Sequence, residues 1–360
     1  MRDLLRDYER LAFEGQVGRA VVTSVWGSAP RPAGASLLAR TDGAMAGSVS
    51  GGCVEGATVE EIGLAILRDQ PRLIRFGVSD ETAWSVGLAC GGTIEIFVEP
   101  RVRPEIIAAA SGRGGMVIVS LVAGPAPLGT SWTYDDEGHR EGPIVPPDSS
   151  PDEISLSRPI LDGIGDLVDP HARLALRNSR SGTADLEVPG GEPIRLFLEV
   201  FPREPRLIII GAVHVAAALV PLAKQLGFRT IVADPRAPFL TPDRFPEADE
   251  LIMAYPAEAF VRAPIDRATF VCILSHDPKF DEPALEIALR SDAAYVGAIG
   301  SRKTQAVRRE QLARKGLTEA QVARLHGPIG LDLGGRAPAE IALAILAEMT
   351  AVRYGKEASR

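Results

Sequence analysis

The sequence predicts an α/β protein: an N-terminal α+β domain over residues 1–201, followed by a C-terminal Rossmann-like domain with a doubly wound parallel sheet over residues 206–360. Three observations predict this class. The chain of 360 residues is long enough for two domains of ordinary size. Two prolines and alternating charges in residues 201–206 (FPREPR) interrupt two strand-like runs. After that segment, short apolar runs alternate with helical stretches, as in parallel sheets covered on both faces.

The C-terminal domain has the more regular pattern. Its strands are expected at residues 207–210, 230–233, 250–253, 270–274 and 295–298. Its helices are expected near residues 215–226, 256–262, 281–291, 301–315 and 338–352.

The N-terminal domain is expected to open with a helix and to continue with a less regular mixture of elements. Strands are expected at residues 20–28, 35–40, 72–78, 93–100 and 115–124. A glycine-rich bend at residues 47–56 leads into a helix ending at residue 68, and a second helix is expected near 104–111. Residues 124–152 are rich in Pro, Gly, Asp and Ser, which predicts hairpin tips and exposed loop.

Composition excludes several classes of function. A net charge of −8 gives no basic footprint for nucleic acid. The N-terminus is charged throughout, and the longest apolar run, residues 207–223, contains a glycine, a histidine and a proline. Neither is typical of a signal peptide or a membrane span, so we expect a soluble, cytoplasmic protein. The three cysteines are odd in number and widely spaced, which indicates neither a disulfide framework nor a zinc site.

The first strand of the C-terminal domain ends in a partial dinucleotide-binding motif, LIIIGAVHVAA. Gly211 ends the strand, His214 follows it, and Asp234 lies at the end of the second strand, where a ribose-binding acid belongs. Val213 replaces the middle glycine, whose missing side chain normally lets backbone approach a pyrophosphate. This crevice is therefore a candidate nucleotide site or a Rossmann-like scaffold with another use.

Two later strands of this domain end in polar residues. His276 and Asp277 are either an acid–base pair or part of a surface turn. Ser301 and Arg302 open a helix after Gly300, which makes either a phosphate seat or a capped surface helix.

Three glycine-bearing bends of the N-terminal domain, at residues 27–35, 47–55 and 89–92, place backbone N–H groups within reach of an anion. Cys53 is expected at the start of a helix, where the helix dipole lowers a thiol pKa, although Glu55 and nearby acids oppose this. The alternative for Cys53 is a small buried hydrophobe.

Taken in order, the motifs GSAPRPAGA, GSVSGGCVE, CGG, IIIGAVHVA, VADPR, SHD with Asp281 downstream, AIGSRKT and PIGLDLGGRAPAEIALAILAE make the chain resemble the XdhC/CoxI family. This family comprises accessory proteins of xanthine dehydrogenase and related molybdenum hydroxylases. The one visible departure is Val213, where the family usually has glycine, and it bears on dinucleotide binding only.

The resemblance implies a homodimeric, non-catalytic maturation factor. Such a protein binds molybdenum cofactor, in a mononucleotide or dinucleotide form, and protects it while a cysteine desulfurase supplies a sulfido ligand. It then delivers the cofactor to an apo molybdenum hydroxylase. The resemblance also implies that Cys53 contacts the molybdenum. The candidate cofactor-binding residues are Cys53, Cys90, Arg31, Ser48, Ser50, Gly51, Gly52, Gly211, His214, Asp234, His276, Ser301 and Arg302.

Two other hypotheses remain open. The first is an NAD(P)-dependent oxidoreductase that uses the Rossmann-like domain, with Asp234 on the ribose hydroxyls; Val213 argues against it. The second is a structural interaction protein whose Rossmann-like domain binds nothing, and the paired Gly-Gly-Cys and Cys-Gly-Gly features argue against that.

Overall fold

The computed structural model describes residues 1–28, 30–77, 92–147, 149–188 and 192–356, without the side chains at 153, 156–160 and 162. The chain divides into two compact units, Met1–Arg203 and Glu204–Arg360. The first contains antiparallel sheets and the second a parallel sheet, so the predicted fold class is confirmed. None of the helices in the described ranges is both long and apolar enough to cross a membrane.

The N-terminal unit consists of two five-stranded antiparallel sheets with helices against them. After a 3-10 turn at Arg2–Leu4, the elements of its first half are α1 Leu5–Glu14, β1 Gly18–Trp26, β2 Ser36–Ala39, β3 Met45–Gly47, α2 Glu55–Arg68, β4 Arg72–Phe76 and β5 Thr93–Glu99. The second half contains α3 Pro104–Ser111, β6 Met116–Ala123, β7 Ser131–Asp135, β8 Arg140–Ile144, α4 Pro151–Asn178, β9 Gly182–Leu186 and β10 Ile194–Phe201. The strand orders are β3-β2-β1-β5-β4 and β8-β7-β6-β10-β9.

Each sheet buries its apolar face under one long helix. Ile62 and Ala65 of α2 lie in the core of the first sheet. The apolar residues of α4 recur at helical spacing and fill the core of the second sheet with Leu161, Ile164, Val168 and Ala172.

A buried arginine ties the two sheets together. Arg19 of β1 is fully buried, and its guanidinium donates to Glu99 of the same sheet at 3.2 Å and to Glu199 of the second sheet. The same guanidinium donates to the hydroxyl of Ser36 at 3.0 Å. A buried ion pair adds little net stability, but breaking one is costly, so this cluster specifies how the sheets face each other.

The expectation of exposed loop over residues 124–152 is wrong in part. The strand β7 lies inside this range, pairs with β6 and buries Trp132 and Tyr134 in the second core. The helix α4 begins at its end and was not predicted. The turns of this range dominate its average composition, which conceals a strand of only five residues. The burial of that strand depends on its pairing with another segment and not on its own composition.

The C-terminal unit is a six-stranded parallel sheet with helices between the strands. Its elements are β11 Arg206–Ile210, α5 His214–Gln225, β12 Arg229–Ala233, β13 Glu250–Ile252, α6 Pro256–Arg262, β14 Thr269–Ile273, α7 Pro278–Arg290, β15 Tyr295–Ala298, α8 Arg302–Arg314, α9 Glu319–Ala323, β16 Leu325–His326 and α10 Pro338–Arg353. The order β13-β12-β11-β14-β15-β16 is that of a Rossmann fold, with the switch point between β11 and β14. The short elements α9 and β16 were not predicted, because a two-residue strand has no periodicity to detect.

Candidate functional site

The first glycine-bearing bend of the N-terminal unit lies against a described glycine of each of the other two. A Cβ atom at Gly51 would lie 3.3 Å from Cγ of Pro30, and one at Gly92 would lie 2.2 Å from the carbonyl oxygen of Ser28. Hence Pro30 lies against Gly51, and Ser28 lies against Gly92. The sequence separates Ser28 from Gly92 by more than sixty residues, and the antiparallel pairing of β1 with β5 brings them together. Cys90 lies outside the described residues.

The turn over residues 48–54 is folded around the carboxylate of Glu55. Four consecutive backbone N–H groups donate to this carboxylate: those of Val49 at 3.2 Å, Ser50 at 2.9 Å, Gly51 at 3.1 Å and Gly52 at 2.8 Å. The hydroxyl of Ser48 donates to it at 2.7 Å, and the hydroxyl of Ser50 also donates to it. The N–H groups that the sequence offered to a ligand anion are therefore bound to the chain's own carboxylate.

This environment keeps Glu55 ionised. Burial alone would raise the pKa of Glu55, but hydrogen bonds from the hydroxyls of Ser50 and Ser48 and from the backbone outweigh it, and the pKa falls to about 2. Sequence reasoning treated Glu55 only as a charge near Cys53. The signal that could have identified its role is the spacing of three residues from Gly52, which is the spacing of a capping-box carboxylate and the N–H group it accepts from.

Cys53 lies two residues before α2, because the helix begins at Glu55 and not at the cysteine as expected. Its side chain is half-buried and packs against the edge of the first core, with the sulfur as a free thiol. This position is intermediate between the two expectations, the reactive group and the buried hydrophobe.

Arg31 lies in the first of the three bends and is half-buried. Its Nε is shielded from solvent and has no hydrogen-bond partner in the part of the chain that the structure describes. A buried donor without a partner is costly, so Arg31 is suited to receive an acceptor from a bound molecule.

The Rossmann unit places Gly211 at the switch point and Asp234 at the end of the neighbouring strand β12. Gly211 has a φ of +106°, and a Cβ there would lie 2.8 Å from the backbone nitrogen of Ser275. Asp234 is almost fully buried and accepts from the N–H of Ala212 at 2.8 Å. The guanidinium of Arg236 holds both oxygens of this carboxylate, at 2.9 and 2.7 Å.

Asp234 is thus satisfied within the protein. Burial would raise its pKa, but hydrogen bonds from Arg236 and Ala212 outweigh burial and keep the pKa below its ordinary value. The carboxylate that a ribose would need is already paired with a cation. The Arg236 guanidinium also lies 4.4 Å over the ring of Phe239, which holds it in place.

Val213 and His214 lie at the first turn of α5. Val213 occupies the N-cap position without a side-chain cap, and its side chain packs against the apolar core on that face of the sheet. His214 is the first helical residue and is exposed.

The ends of β14 and β15 carry the remaining candidates. His276 is exposed with a φ of +60°, while Asp277 caps α7 by accepting from the N–H of Lys279 at 3.0 Å. Ser301 caps α8 by accepting from the N–H of Thr304 at 3.1 Å, and Arg302 is exposed, 4.0 Å from Asp332. Both helix starts thus have the capped-surface geometry that was the simpler alternative.

Asp281 and Arg308 form a buried ion pair next to the end of β14. The sequence analysis named Asp281 but did not predict this pairing. Asp281 is fully buried and accepts from the hydroxyl of Ser275 and from the guanidinium of Arg308. Burial raises the pKa of Asp281, and the bonds from Ser275 and Arg308 oppose this only in part. The pair joins the end of β14 to α7 and α8.

Among the described residues, one group could hold a metal ion: Asp135, Glu137 and His139, in the turn between β7 and β8. This turn is stabilised by its own bonds, since Asp135 accepts from the His139 backbone at 2.8 Å and from its Nδ1 at 2.9 Å. These bonds account for the proximity of the three side chains.

The chain thus combines an antiparallel α+β unit, which carries a free cysteine beside two glycines, with a Rossmann unit. Residues 11–77 match the model described as the XdhC and CoxI family, and residues 207–349 match that of the XdhC Rossmann domain. The two matches together cover more than half of the chain. The chain belongs to the XdhC and CoxI family, as its motifs predicted.

Two relatives and one solved structure match this chain over different lengths. The molybdenum cofactor insertion chaperone PaoD of Escherichia coli is 26% identical over 360 residues, which cover 99% of this chain and 90% of PaoD. A solved structure from Bacillus halodurans, described as a xanthine dehydrogenase, has a TM-score of 0.70 at 25% identity and covers 98% of this chain and 96% of that one. The uncharacterized protein YqeB of Escherichia coli is 35% identical over 184 residues, 51% of this chain but only 33% of YqeB.

Proposed function

We propose that this protein binds molybdenum cofactor and delivers it to a molybdenum hydroxylase of the xanthine dehydrogenase type. The observation that carries the proposal is the similarity to the insertion chaperone PaoD along nearly the whole chain. The turn that carries Cys53 supports it, because it presents a free, half-buried thiol and packs through Gly51 against Pro30 of a second segment of the chain.

The residues present fit the two chemical ends of this cargo. Molybdenum cofactor carries a metal bound by sulfur at one end and a phosphate or nucleotide at the other. The sulfur of Cys53 is a soft ligand that suits the metal end. The Arg31 guanidinium, with its unpartnered Nε, suits a phosphate. The N–H groups of residues 49–52 do not fit a phosphate, since Glu55 already occupies them.

The remaining parts of the proposal concern partners. The protein is a carrier without a catalytic step of its own, forms a homodimer in the cytoplasm and receives sulfur for its cargo from a cysteine desulfurase. These follow from the resemblance of the motifs to the family, and the xanthine dehydrogenase named for the Bacillus halodurans structure agrees with the class of client.

Binding is tested by purifying the protein anaerobically from cells that make molybdenum cofactor, oxidising any bound pterin and measuring its fluorescence per chain. We expect about one pterin per chain, because one set of packed turns is present in each. If cofactor-loaded lysate transfers no pterin to the purified protein, the carrier proposal is wrong.

The role of the thiol is tested with Cys53→Ala, for which we expect pterin retention to fall about tenfold, the effect of losing a contact worth ~1.4 kcal/mol. The matched control is Cys272→Ala. Cys272 is fully buried in β14, where burial raises the pKa of its thiol, and it contacts Met349 at 3.9 Å. This control should lower stability slightly and leave retention unchanged. Equal retention by Cys53→Ala and wild type would remove Cys53 from the site.

A second candidate function, NAD(P)-dependent oxidation, is favoured by the Rossmann strand order and by Gly211 at the switch point. The pairing of Asp234 with Arg236 opposes it, because a ribose must displace that arginine. We expect NADH and NADPH to bind weakly or undetectably in calorimetry. Val213→Gly should improve binding if the rest of the crevice is intact. Tight stoichiometric NADH binding by the unmodified protein would favour the oxidoreductase instead.

A further inference from the structure

We propose that Glu55 is a positioning residue: the turn over residues 48–54 is built around its carboxylate, and this fixes the direction of the Cα–Cβ bond of Cys53, which carries the sulfur. The inference rests on the proposed function for its biological meaning. Its structural content, that Glu55 controls the placement of Cys53, can be tested separately.

The first support is the number and kind of donors. The carboxylate accepts from four consecutive N–H groups and from the hydroxyls of Ser48 and Ser50, and Glu55 itself is 8% exposed. No arginine or lysine within the described ranges is in an ion pair with it. Each of these donors acts through a directional hydrogen bond, so the carboxylate specifies the path of the backbone over four consecutive residues.

The second support is that Cys53 lies between two anchored residues. On one side, the N–H of Gly52 donates to Glu55 at 2.8 Å. On the other, the N–H of Val54 donates to the Ser50 hydroxyl at 2.9 Å, and that hydroxyl in turn donates to Glu55. Val54 is also fully buried in the first core. With both neighbours fixed, the Cα–Cβ bond of Cys53 has one direction.

The third support is the left-handed path of the turn at two consecutive glycines. Gly51 and Gly52 have φ values of +78° and +118°, which only glycine adopts without cost. Two such residues in succession leave the chain many alternative paths once its hydrogen bonds are lost. The acceptor at the centre of the turn therefore selects one path among them.

The consequence for cargo is orientation. Because the carboxylate of Glu55 occupies the N–H groups of this turn, a phosphate cannot bind them. The sulfur of Cys53 then contacts the molybdenum end of the cargo. The phosphate end must then be held elsewhere, and Arg31 is the donor at hand.

The experiment compares Glu55→Gln, which keeps the length but loses the charge, with Glu55→Asp, which keeps the charge but is one methylene shorter. Cys53 alkylation by an uncharged reagent is measured by peptide mass spectrometry, since cleavage after Arg40 and Arg68 separates Cys53 from the other cysteines. Pterin retention is measured in parallel. Glu60→Gln is the control, because Glu60 is exposed on the same helix.

Both Glu55 variants should change the Cys53 labelling rate on the order of fivefold and lower pterin retention, since hydrogen bonds to a charged acceptor are lost in each. Glu60→Gln should match wild type. If Glu55→Asp labels and retains like wild type, the effect is one of charge, and the positioning proposal is overturned.

Ser48 supplies a milder test should a Glu55 variant fail to fold. Ser48→Ala removes one hydroxyl donor from Glu55 and one acceptor from the N–H of Gly51, whereas Ser48→Thr keeps the hydroxyl. We expect Ser48→Ala to alter Cys53 labelling and Ser48→Thr to restore it; no difference between them overturns the proposal. If wild type itself retains no pterin, the carrier function fails, and the labelling comparison still decides the role of Glu55.

Discussion

Each of the two units contains a glycine-bearing turn in which backbone N–H donates to a carboxylate of the chain itself. The units differ in the other groups that bind that carboxylate. In the N-terminal unit, Glu55 is surrounded by N–H and O–H donors and keeps its full charge. In the Rossmann unit, Asp234 accepts one N–H from the turn and is paired with Arg236. A glycine-rich motif thus predicts a concentration of N–H groups, but not which anion they bind.

The difference has a functional meaning. A carboxylate held only by neutral donors repels a second anion, so the first turn can present a cysteine but not hold a phosphate. A carboxylate paired with a guanidinium leaves little net charge, and that arginine is held over Phe239 beside the crevice. The first turn is closed to anions, whereas at the second a ribose hydroxyl reaches Asp234 only if Arg236 moves.

Among the substitutions that test this comparison, Glu55→Ala is expected to lower stability the most. The substitution leaves several buried N–H and hydroxyl groups without an acceptor, and we expect a loss of about 3 kcal/mol in the free energy of unfolding of the N-terminal unit. All three tryptophans precede residue 133, so tryptophan fluorescence in urea reports on this unit. A change smaller than that of the Glu60→Ala control would mean that the turn does not depend on its carboxylate.

A smaller effect is expected from Arg236→Ala, which leaves the buried Asp234 with its backbone donors but without its cation. Because Arg236 is partly exposed, water replaces some of the lost interaction, and we expect a loss of about 2 kcal/mol in the C-terminal unit. Scanning calorimetry of the full chain measures it, with the exposed Arg302→Ala as control. An unchanged melting transition would show that Asp234 and Arg236 are not coupled in solution.

Acid should destabilise both units. Burial raises the pKa of Glu348 in α10, but bonds from His326, Tyr295 and Gly330 outweigh burial and bring the pKa to about 2, as for Glu55. A carboxylate with a lowered folded-state pKa stabilises the protein fully above its ordinary pKa near 4.5, and this contribution is lost as the pH falls towards 2.

In Glu348→Gln the amide does not titrate, although it can still accept from the Tyr295 hydroxyl, which donates to Glu348 at 2.6 Å. The substitution should therefore flatten the acid dependence of the calorimetric transition of the C-terminal unit. The fluorescence transition of the N-terminal unit should keep its dependence, because Glu55 is unchanged. Equal flattening of both transitions would contradict the assignment of one carboxylate to each unit.

The strands and helices of the Rossmann unit could be predicted within a few residues, because parallel strands buried on both faces are continuous apolar runs. Local sequence does not determine that Ser28 lies against Gly92. This proximity depends on the pairing of β1 with β5, across a segment of more than sixty residues. The strand β7 was missed for the same reason, since its burial comes from β6 and α4 rather than from its own sequence.

The sequence by itself determined the family, the α/β class, the Rossmann pattern and the residue types near the site, since these are carried by local periodicity and by short motifs. Only the tertiary structure decided which groups meet which. It placed the carboxylate of Glu55 at the N–H groups that the sequence predicted for a ligand anion. It also paired Asp234 with Arg236 and left the Nε of Arg31 without a partner among the described residues. The physical reason is that a motif fixes where donors and acceptors lie along the chain, whereas their pairing depends on distances that exist only after the backbone has folded.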